Sequence, residues 1–185
     1  TPDGGRTWTL AVRGPAGGPA GPAWAQVQCA GGTAAWAELI GPGAAMSQEP
    51  HVGYHTSGTS WAPIFAEQYF GYPGVAVTAR SPGSDAGPFS AVSPAEAVFI
   101  DNCSACGYGT APMDLARDGG AVLQPGGNVG GINVAAAAAF VTLDTGWVIG
   151  TRTTYHQSGL PTMVSRIMHT GNGGRTWQAQ YTARP

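Results

Sequence analysis

The chain has 185 residues, a formal net charge of −2 and eight strongly basic residues, all of them Arg. The absence of a basic patch argues against a nucleic-acid partner, and no run of ~20 apolar residues predicts a membrane span. The 30 Gly and 15 Pro, with only 10% charged residues, favour many short strands joined by tight turns over helices. The 43% hydrophobic content, which includes six Trp, supplies a sizeable core and argues against disorder.

One turn sequence recurs along the chain. Residues 1–8 read TPDGGRTW and residues 170–177 read TGNGGRTW, while residues 54–61 (YHTSGTSW) and 116–123 (ARDGGAVL) are weaker copies. A carboxylate or amide in such a turn bonds backbone N–H groups two residues on, glycines adopt positive φ, and the final large side chain is buried at the start of the next strand. In chain order, we call them turn repeats 1 (1–8), 2 (54–61), 3 (116–123) and 4 (170–177). Their anchors Trp8, Trp61, Leu123 and Trp177 are 53, 62 and 54 positions apart, which predicts a repeat architecture.

The two full copies resemble the Asp-box, or bacterial neuraminidase repeat, of sialidases, some endoglucanases, sortilin-type receptors and photosystem assembly factors. That resemblance implies a β-propeller, with each box on the hairpin between the third and fourth strands of a blade, in a structural and non-catalytic role. Three positions depart from the pattern: Thr56 and Asn172 replace the Asp, and Leu123 replaces the Trp. The residues to which the resemblance assigns the structural role are Asp3, Gly5, Thr7, Trp8, Gly58, Trp61, Asp118, Gly120, Asn172, Gly174, Thr176 and Trp177.

The predicted fold class is therefore all-β, a propeller of four-stranded antiparallel blades. Residues 1–12 are predicted to hold the outer strand of a preceding blade, Trp8–Val12, and complete blades are predicted over 24–67, 88–125 and 130–183. A further short strand is predicted over Val75–Thr78. The run Val134–Phe140 is rich in Ala, which favours helix, but its place in the repeat predicts a strand.

Three blades and one orphan strand do not close a ring, because propellers typically have four to eight blades. Open blade faces and strand edges would also be prone to aggregation. We therefore expect a partner, either a missing N-terminal part of the propeller or a second copy of the chain giving six blades.

Two of the three cysteines, Cys103 and Cys106, form a C-x-x-C pattern. The favoured interpretation is a local disulfide that pins a Gly-rich loop in an exported bacterial protein, at the cell surface, in the periplasm or outside the cell. A metal half-site, a redox pair, reduced thiols and pairing with Cys29 remain alternatives.

His51 and His55 lie on one face of a predicted strand. With three methionines and His169 they are candidates for a soft-metal cluster, but structural roles are favoured, and neither a metal nor a cofactor is predicted. The methionines are Met46, Met163 and Met168.

A glycosidase needs a pair of carboxylates beside the scissile bond. The candidates are Asp85, Glu96, Asp101, Asp114 and Asp144, among which Asp101, near a strand end, is the most suggestive. The Arg-Ile-Pro motif that sialidases share is absent from the sequence.

Aromatic residues in predicted loops are the remaining functional candidates. Tyr69, Tyr72 and Tyr155 are candidate contacts for a sugar or a protein. Two hypotheses follow: a non-catalytic scaffold that binds a protein or glycan, or the C-terminal part of a glycoside hydrolase whose catalytic residues lie mainly elsewhere. Paired carboxylates facing one pocket at the propeller axis would favour the hydrolase.

Overall fold

The computed structural model describes residues 4–10, 12, 24–42, 49–67, 77, 79–103 and 109–183. These residues form three antiparallel sheets of four strands each, in which consecutive strands are neighbours. Sheet 1 contains β1 (Trp24–Cys29), β2 (Ala35–Ile40), β3 (His51–Thr56) and β4 (Trp61–Ala66). Sheet 2 contains β5 (Phe89–Ser93), β6 (Glu96–Ile100), β7 (Pro112–Arg117) and β8 (Val122–Asn128). Sheet 3 contains β9 (Val134–Phe140), β10 (Gly146–Thr154), β11 (Thr162–Thr170) and β12 (Gln178–Thr182).

The only helical element among the described residues is one 3₁₀ turn, Asp118–Gly120, which lies in turn repeat 3. No helix in the described ranges is long and apolar enough to cross a membrane. The Ala-rich run forms strand β9, as predicted, because its backbone pairs with β10 and Ala135 and Phe140 are buried.

The prediction of a strand over Trp8–Val12 is wrong for the described residues, since 8–10 and 12 form no strand. A strand needs a neighbour to which its backbone can hydrogen-bond, and none of the described strands pairs with this segment, although Val12 packs against side chains of sheet 1. The strand predicted over Val75–Thr78 lies outside the described residues, apart from Val77.

The repeat is visible in the strand register. In every sheet the pairing of the third and fourth strands shifts by one residue, after Gly53, Met113 and Ile167 respectively. The residue left without a register partner is Ile64, Gly126 or Gln180, each three positions after the anchor of its turn repeat. The three sheets are therefore copies of one structural unit.

The sheets stack in chain order. An aromatic cluster with Trp36, Phe65 and Phe99 lies between sheets 1 and 2. A larger aliphatic cluster, which includes Ile100 and Val148, lies between sheets 2 and 3. The anchors of turn repeats 2 to 4 each pack on a buried apolar cluster; these anchors are Trp61, Leu123 and Trp177. Trp8 of turn repeat 1, in contrast, is 78% exposed.

The first strands of the three sheets lie side by side. Gln28 on β1 donates to the carbonyl of Phe89 (2.6 Å) and accepts from the backbone N–H of Ala91 (2.9 Å), both on β5. The Ser90 hydroxyl on β5 accepts from the backbone N–H of Phe140 on β9 (2.9 Å). Polar side chains thus join β1, β5 and β9 where the three sheets converge.

Candidate functional site

The most unusual chemistry of the described chain is a buried ionisable centre formed by Glu38, His51 and Asp101, between sheets 1 and 2. Their exposed fractions are 1%, 0% and 1%. Glu38 lies on β2, two residues after Trp36, so both side chains lie on the face that packs against sheet 2. His51 begins β3 opposite Ile40, so its side chain lies on the same face as that of Glu38. Asp101 directly follows β6.

His51 is the hub of this centre. Its Nε2 lies 2.9 Å from Oδ2 of Asp101 and 3.9 Å from Oε1 of Glu38. Its Nδ1 lies 2.6 Å from the backbone carbonyl of Glu49. A carbonyl only accepts, so Nδ1 carries a proton, and an ionised Asp101 requires a second proton on Nε2. In the absence of any other ligand, an imidazolium satisfies both contacts.

The electrostatics agree with this assignment. Burial alone would lower the pKa of His51, but the charge and hydrogen bond of Asp101, the charge of Glu38 and the Glu49 carbonyl together raise it to about 10. Burial is also the main reason why the pKa of Glu38 lies well above its ordinary value, and the charge of Asp101 raises it further against the opposing effect of His51. With both carboxylates ionised, the centre therefore carries one more negative than positive charge.

Both carboxylate oxygens of Glu38 are buried and have no hydrogen-bond partner among the described residues. Leaving a buried polar group unsatisfied costs about 1–3 kcal/mol, and more when the group is charged. A partner of positive charge would remove this cost.

A buried segment, residues 81–87, lies over the centre. The backbone N–H of Gly83 donates to Oδ2 of Asp101 (3.0 Å). A Cβ at Gly83 would lie 2.6 Å from the carbonyl oxygen of Asn102, so only glycine allows this approach. The segment is further held by a bond from the Glu49 N–H to the Ser84 carbonyl (2.9 Å) and by backbone pairing of Asp85 with Asn102.

Further carboxyl groups add negative charge nearby. Burial and then the charge of Asp101 raise the pKa of Asp114 to about 6. Burial and then the charge of Asp85 raise the pKa of Glu49.

The five carboxylates singled out in the sequence do not form one open pair. Asp101 is in the buried centre, and Asp85 and Asp114 are also buried. Glu96 pairs with Arg117 at 3.2 Å on a half-exposed surface. Asp144 lies in the turn after β9, where its carbonyl accepts from the Gly173 N–H.

The proposed soft-metal set is not assembled among the described residues. The ring of His55 packs against that of Trp36 at a tilt of 47°, and its Nε2 bonds the carbonyl of Pro94. His169 packs on Trp147, Met163 is 60% exposed, and Met168 is in the core between sheets 2 and 3. Met46 lies outside the described residues. Only His51 of this set joins an ionisable centre, and its neighbours there are carboxylates.

Of the cysteines, Cys103 is disulfide-bonded and buried, and its Sγ accepts from the Ser84 hydroxyl at 3.5 Å. Cys29 is a free, exposed thiol at the end of β1. Cys106 lies outside the described residues.

The turn repeats share their backbone geometry in three of four copies. Gly5, Gly120 and Gly174 have φ of 88°, 89° and 84°. In turn repeat 4, Oδ1 of Asn172 accepts from the N–H of Thr176, four residues on and not two as expected. Gly58 lacks a positive φ, and its N–H bonds the Thr56 hydroxyl instead. Asp3 lies outside the described residues.

A pocket of about 250 Å³ opens where the first strands converge. Trp24 and Gln26 from β1, Ala135 from β9, and residues just before β5 and just after β6 line it. None of the described residues that line it is titratable. Tyr155 is 60% exposed in the connection between β10 and β11, and Tyr69 and Tyr72 lie outside the described residues.

Sheet 3 presents an apolar outer face, on the side opposite the core residues Val148 and Met168. Register places Trp147 and Ile149 of β10, Ile167 of β11 and Tyr181 of β12 on it. Ile149 is 47% and Tyr181 58% exposed, so the described chain leaves this face open to solvent.

Sequence reasoning overlooked Glu38. The available signal was a single carboxylate in the strand AWAELI, on the same strand face as the apolar residues Trp36 and Ile40. Carboxylates are almost never fully buried without a partner, so this position predicts a buried ionic or ligand-binding group.

No protein-family model matches the chain, and comparisons with curated proteins and with solved structures find no match either. The Asp-box resemblance therefore rests on the residues of the turn repeats.

Proposed function

We propose that this chain is part of an exported Asp-box β-propeller that acts as a non-catalytic scaffold for binding a protein or a glycan. Sheets 1 to 3 are its blades, and β1, β5 and β9 are the inner strands beside the axis. The repeated register shift, the stacking in chain order and the bonds between first strands support this architecture.

One observation carries the choice of a scaffold over a glycoside hydrolase. The pocket at the convergence of the first strands has no titratable side chain among its described lining residues. A glycosidase needs one carboxyl group as acid and another as base or nucleophile, on opposite sides of the bond. Asp101 and Glu38 come close to each other, but both are buried, so no sugar reaches them.

The propeller needs a further sheet on the outer face of sheet 3. In the two interfaces between sheets, apolar side chains of both partners are buried. The same kind of apolar surface is open around Ile149 and Tyr181, and Trp8 of turn repeat 1 is 78% exposed. A second copy of the chain would cover this face with an apolar sheet surface of its own. A propeller sheet from sequence beyond the described residues would cover it in the same way.

Native mass spectrometry with a denatured control tests the assembly. We expect a particle of two 18.7 kDa chains. Ile149→Lys places a charge on the open face and should convert it to monomers, whereas Leu160→Lys, at a position that is 89% exposed outside the strands, should leave it unchanged. A wild-type monomer would refute assembly by self-association.

Ligand binding is tested on the same preparations with a glycan array and with fluorogenic sialosides and cellulosic substrates. The scaffold proposal predicts binding without turnover, and Tyr155→Ala should weaken glycan binding. Turnover that survives repeated purification would refute it in favour of the hydrolase.

A further inference from the structure

We propose that Glu38, His51 and Asp101 bind one divalent transition-metal ion, with Zn²⁺ the best match, as a structural site that joins sheet 1 to sheet 2. This site is independent of the scaffold function and revises the expectation of a metal-free chain.

The donor atoms are already gathered. One atom from each of the three side chains lies within 4.8 Å of the other two. Metal bonds of about 2.0–2.2 Å place such ligands roughly 3.3–3.6 Å apart. The separations of 2.9 Å and 3.9 Å between Nε2 of His51 and the two carboxylates bracket that value.

The orientation of His51 is that of a metal ligand. Its Nδ1 donates to the Glu49 carbonyl, which directs Nε2 at the two carboxylates. Metal-binding histidines usually hold their second nitrogen in this way, on a carbonyl or carboxylate. Asp101 is likewise held, by the N–H of Gly83.

Glu38 provides the second, independent observation. It is 1% exposed, its two oxygens have no hydrogen-bond partner in the part of the chain that the structure describes, and its Oε1 lies 3.9 Å from Nε2 of His51. Two carboxylates and one neutral imidazole carry a charge of −2, which a divalent cation neutralises. An imidazolium without a metal leaves one negative charge uncompensated when both carboxylates are ionised.

The donor set selects the ion. One imidazole nitrogen with carboxylate oxygens suits Zn²⁺ and neighbouring transition metals better than Ca²⁺ or Mg²⁺, which take oxygen ligands. Because all three side chains are buried, the ion enters as the chain folds, and binding adds to stability.

The test is to refold the full chain from denaturant with its disulfide intact, in buffer treated with chelator, with and without Zn²⁺. We expect one zinc per chain by elemental analysis after removal of free metal. The melting temperature should rise by about 5–10 °C at a free zinc concentration 100 times Kd. Co²⁺ in place of Zn²⁺ should give visible absorption bands of a low-coordination nitrogen and oxygen site.

Glu38→Gln separates metal binding from folding. The amide keeps the volume but removes a buried carboxylate, so the metal-free variant should melt at or above the wild-type temperature while its response to zinc is lost. Glu96→Gln, in the half-exposed ion pair with Arg117, is the matched control and should keep the full response.

Three results would overturn the proposal. They are a wild-type chain refolded with zinc that holds no metal, an equal melting temperature with and without zinc, and a Glu38→Gln variant that binds zinc as the wild type does. In each case the centre would be a metal-free imidazolium that bridges Asp101 and the Glu49 carbonyl.

Discussion

Alanine substitution of the fifth residue of turn repeat 1 and of turn repeat 3, Gly5 and Gly120, separates the cost of backbone strain from the cost of packing. Gly5 and Gly120 have φ of 88° and 89°, so an alanine meets the same backbone strain at both positions, about 1–2 kcal/mol. A Cβ at Gly5 would meet only the Trp8 ring, at 3.7 Å. A Cβ at Gly120 would lie 2.3 Å from Cγ2 of Ile64, a branched and stiff side chain.

Gly120→Ala therefore adds an overpacking cost of about 1–3 kcal/mol to the shared strain. For a chain of this length that difference lowers the melting temperature by roughly 3–10 °C below that of Gly5→Ala. Gly174→Ala should rank between them, because its nearest obstacle is the flexible end of Met113, although the carbonyl of Gly126 is only 3.0 Å away.

Urea and thermal unfolding of the two variants, followed by circular dichroism and Trp fluorescence, measure this difference. Equal losses of stability for Gly5→Ala and Gly120→Ala would refute the reasoning. Such a result would mean that turn repeat 1 packs as tightly as turn repeat 3.

Three further predictions use other parts of the molecule. Trp177→Ala should lower the free energy of unfolding by about 2–3 kcal/mol, because its half-buried ring packs on the core. Trp8→Ala should change it by less than about 0.5 kcal/mol, because Trp8 is 78% exposed. Equal losses for the two variants in urea titrations would contradict this. The pKa of Asp114 is about 6 in the folded chain against an ordinary 3.8, so the folded state retains a proton that the unfolded chain releases. Stability should fall as pH rises from about 4 to about 7, and Asp114→Asn should remove that part of the slope, by about 1–2 kcal/mol after solvent screening; an unchanged slope would exclude this contribution. A thiol assay should find one reactive thiol per native chain, Cys29, and three after denaturation and reduction; two or more before reduction would contradict the disulfide of Cys103.

The strands and turns were largely predictable because their causes are local. Side chains alternate between the two faces of each strand, so the sequence sets which of them share a face. Turn repeats 3 and 4 carry paired glycines whose positive φ follows from the absence of a Cβ. The predicted strand at Trp8–Val12 failed because a strand depends on a neighbour, which is not a local property.

The Ala-rich strand β9 shows the limit of intrinsic preference. Alanine favours helix, yet the backbone of 134–140 is paired along β10 and packs against sheet 2. The position of the run within the repeat predicted this outcome, whereas its composition alone predicted the opposite.

The sequence by itself determined the β class, the repeated unit and the turns between its strands, because periodicity and turn chemistry act over a few residues. Only the tertiary structure decided the buried centre. Glu38 and His51 meet across two paired strands, and Asp101, 50 residues beyond His51, reaches them because sheet 2 stacks on sheet 1. In water, solvent would hydrogen-bond each of these three side chains. In the protein interior no solvent does so, and the three groups must hydrogen-bond one another or bind an ion.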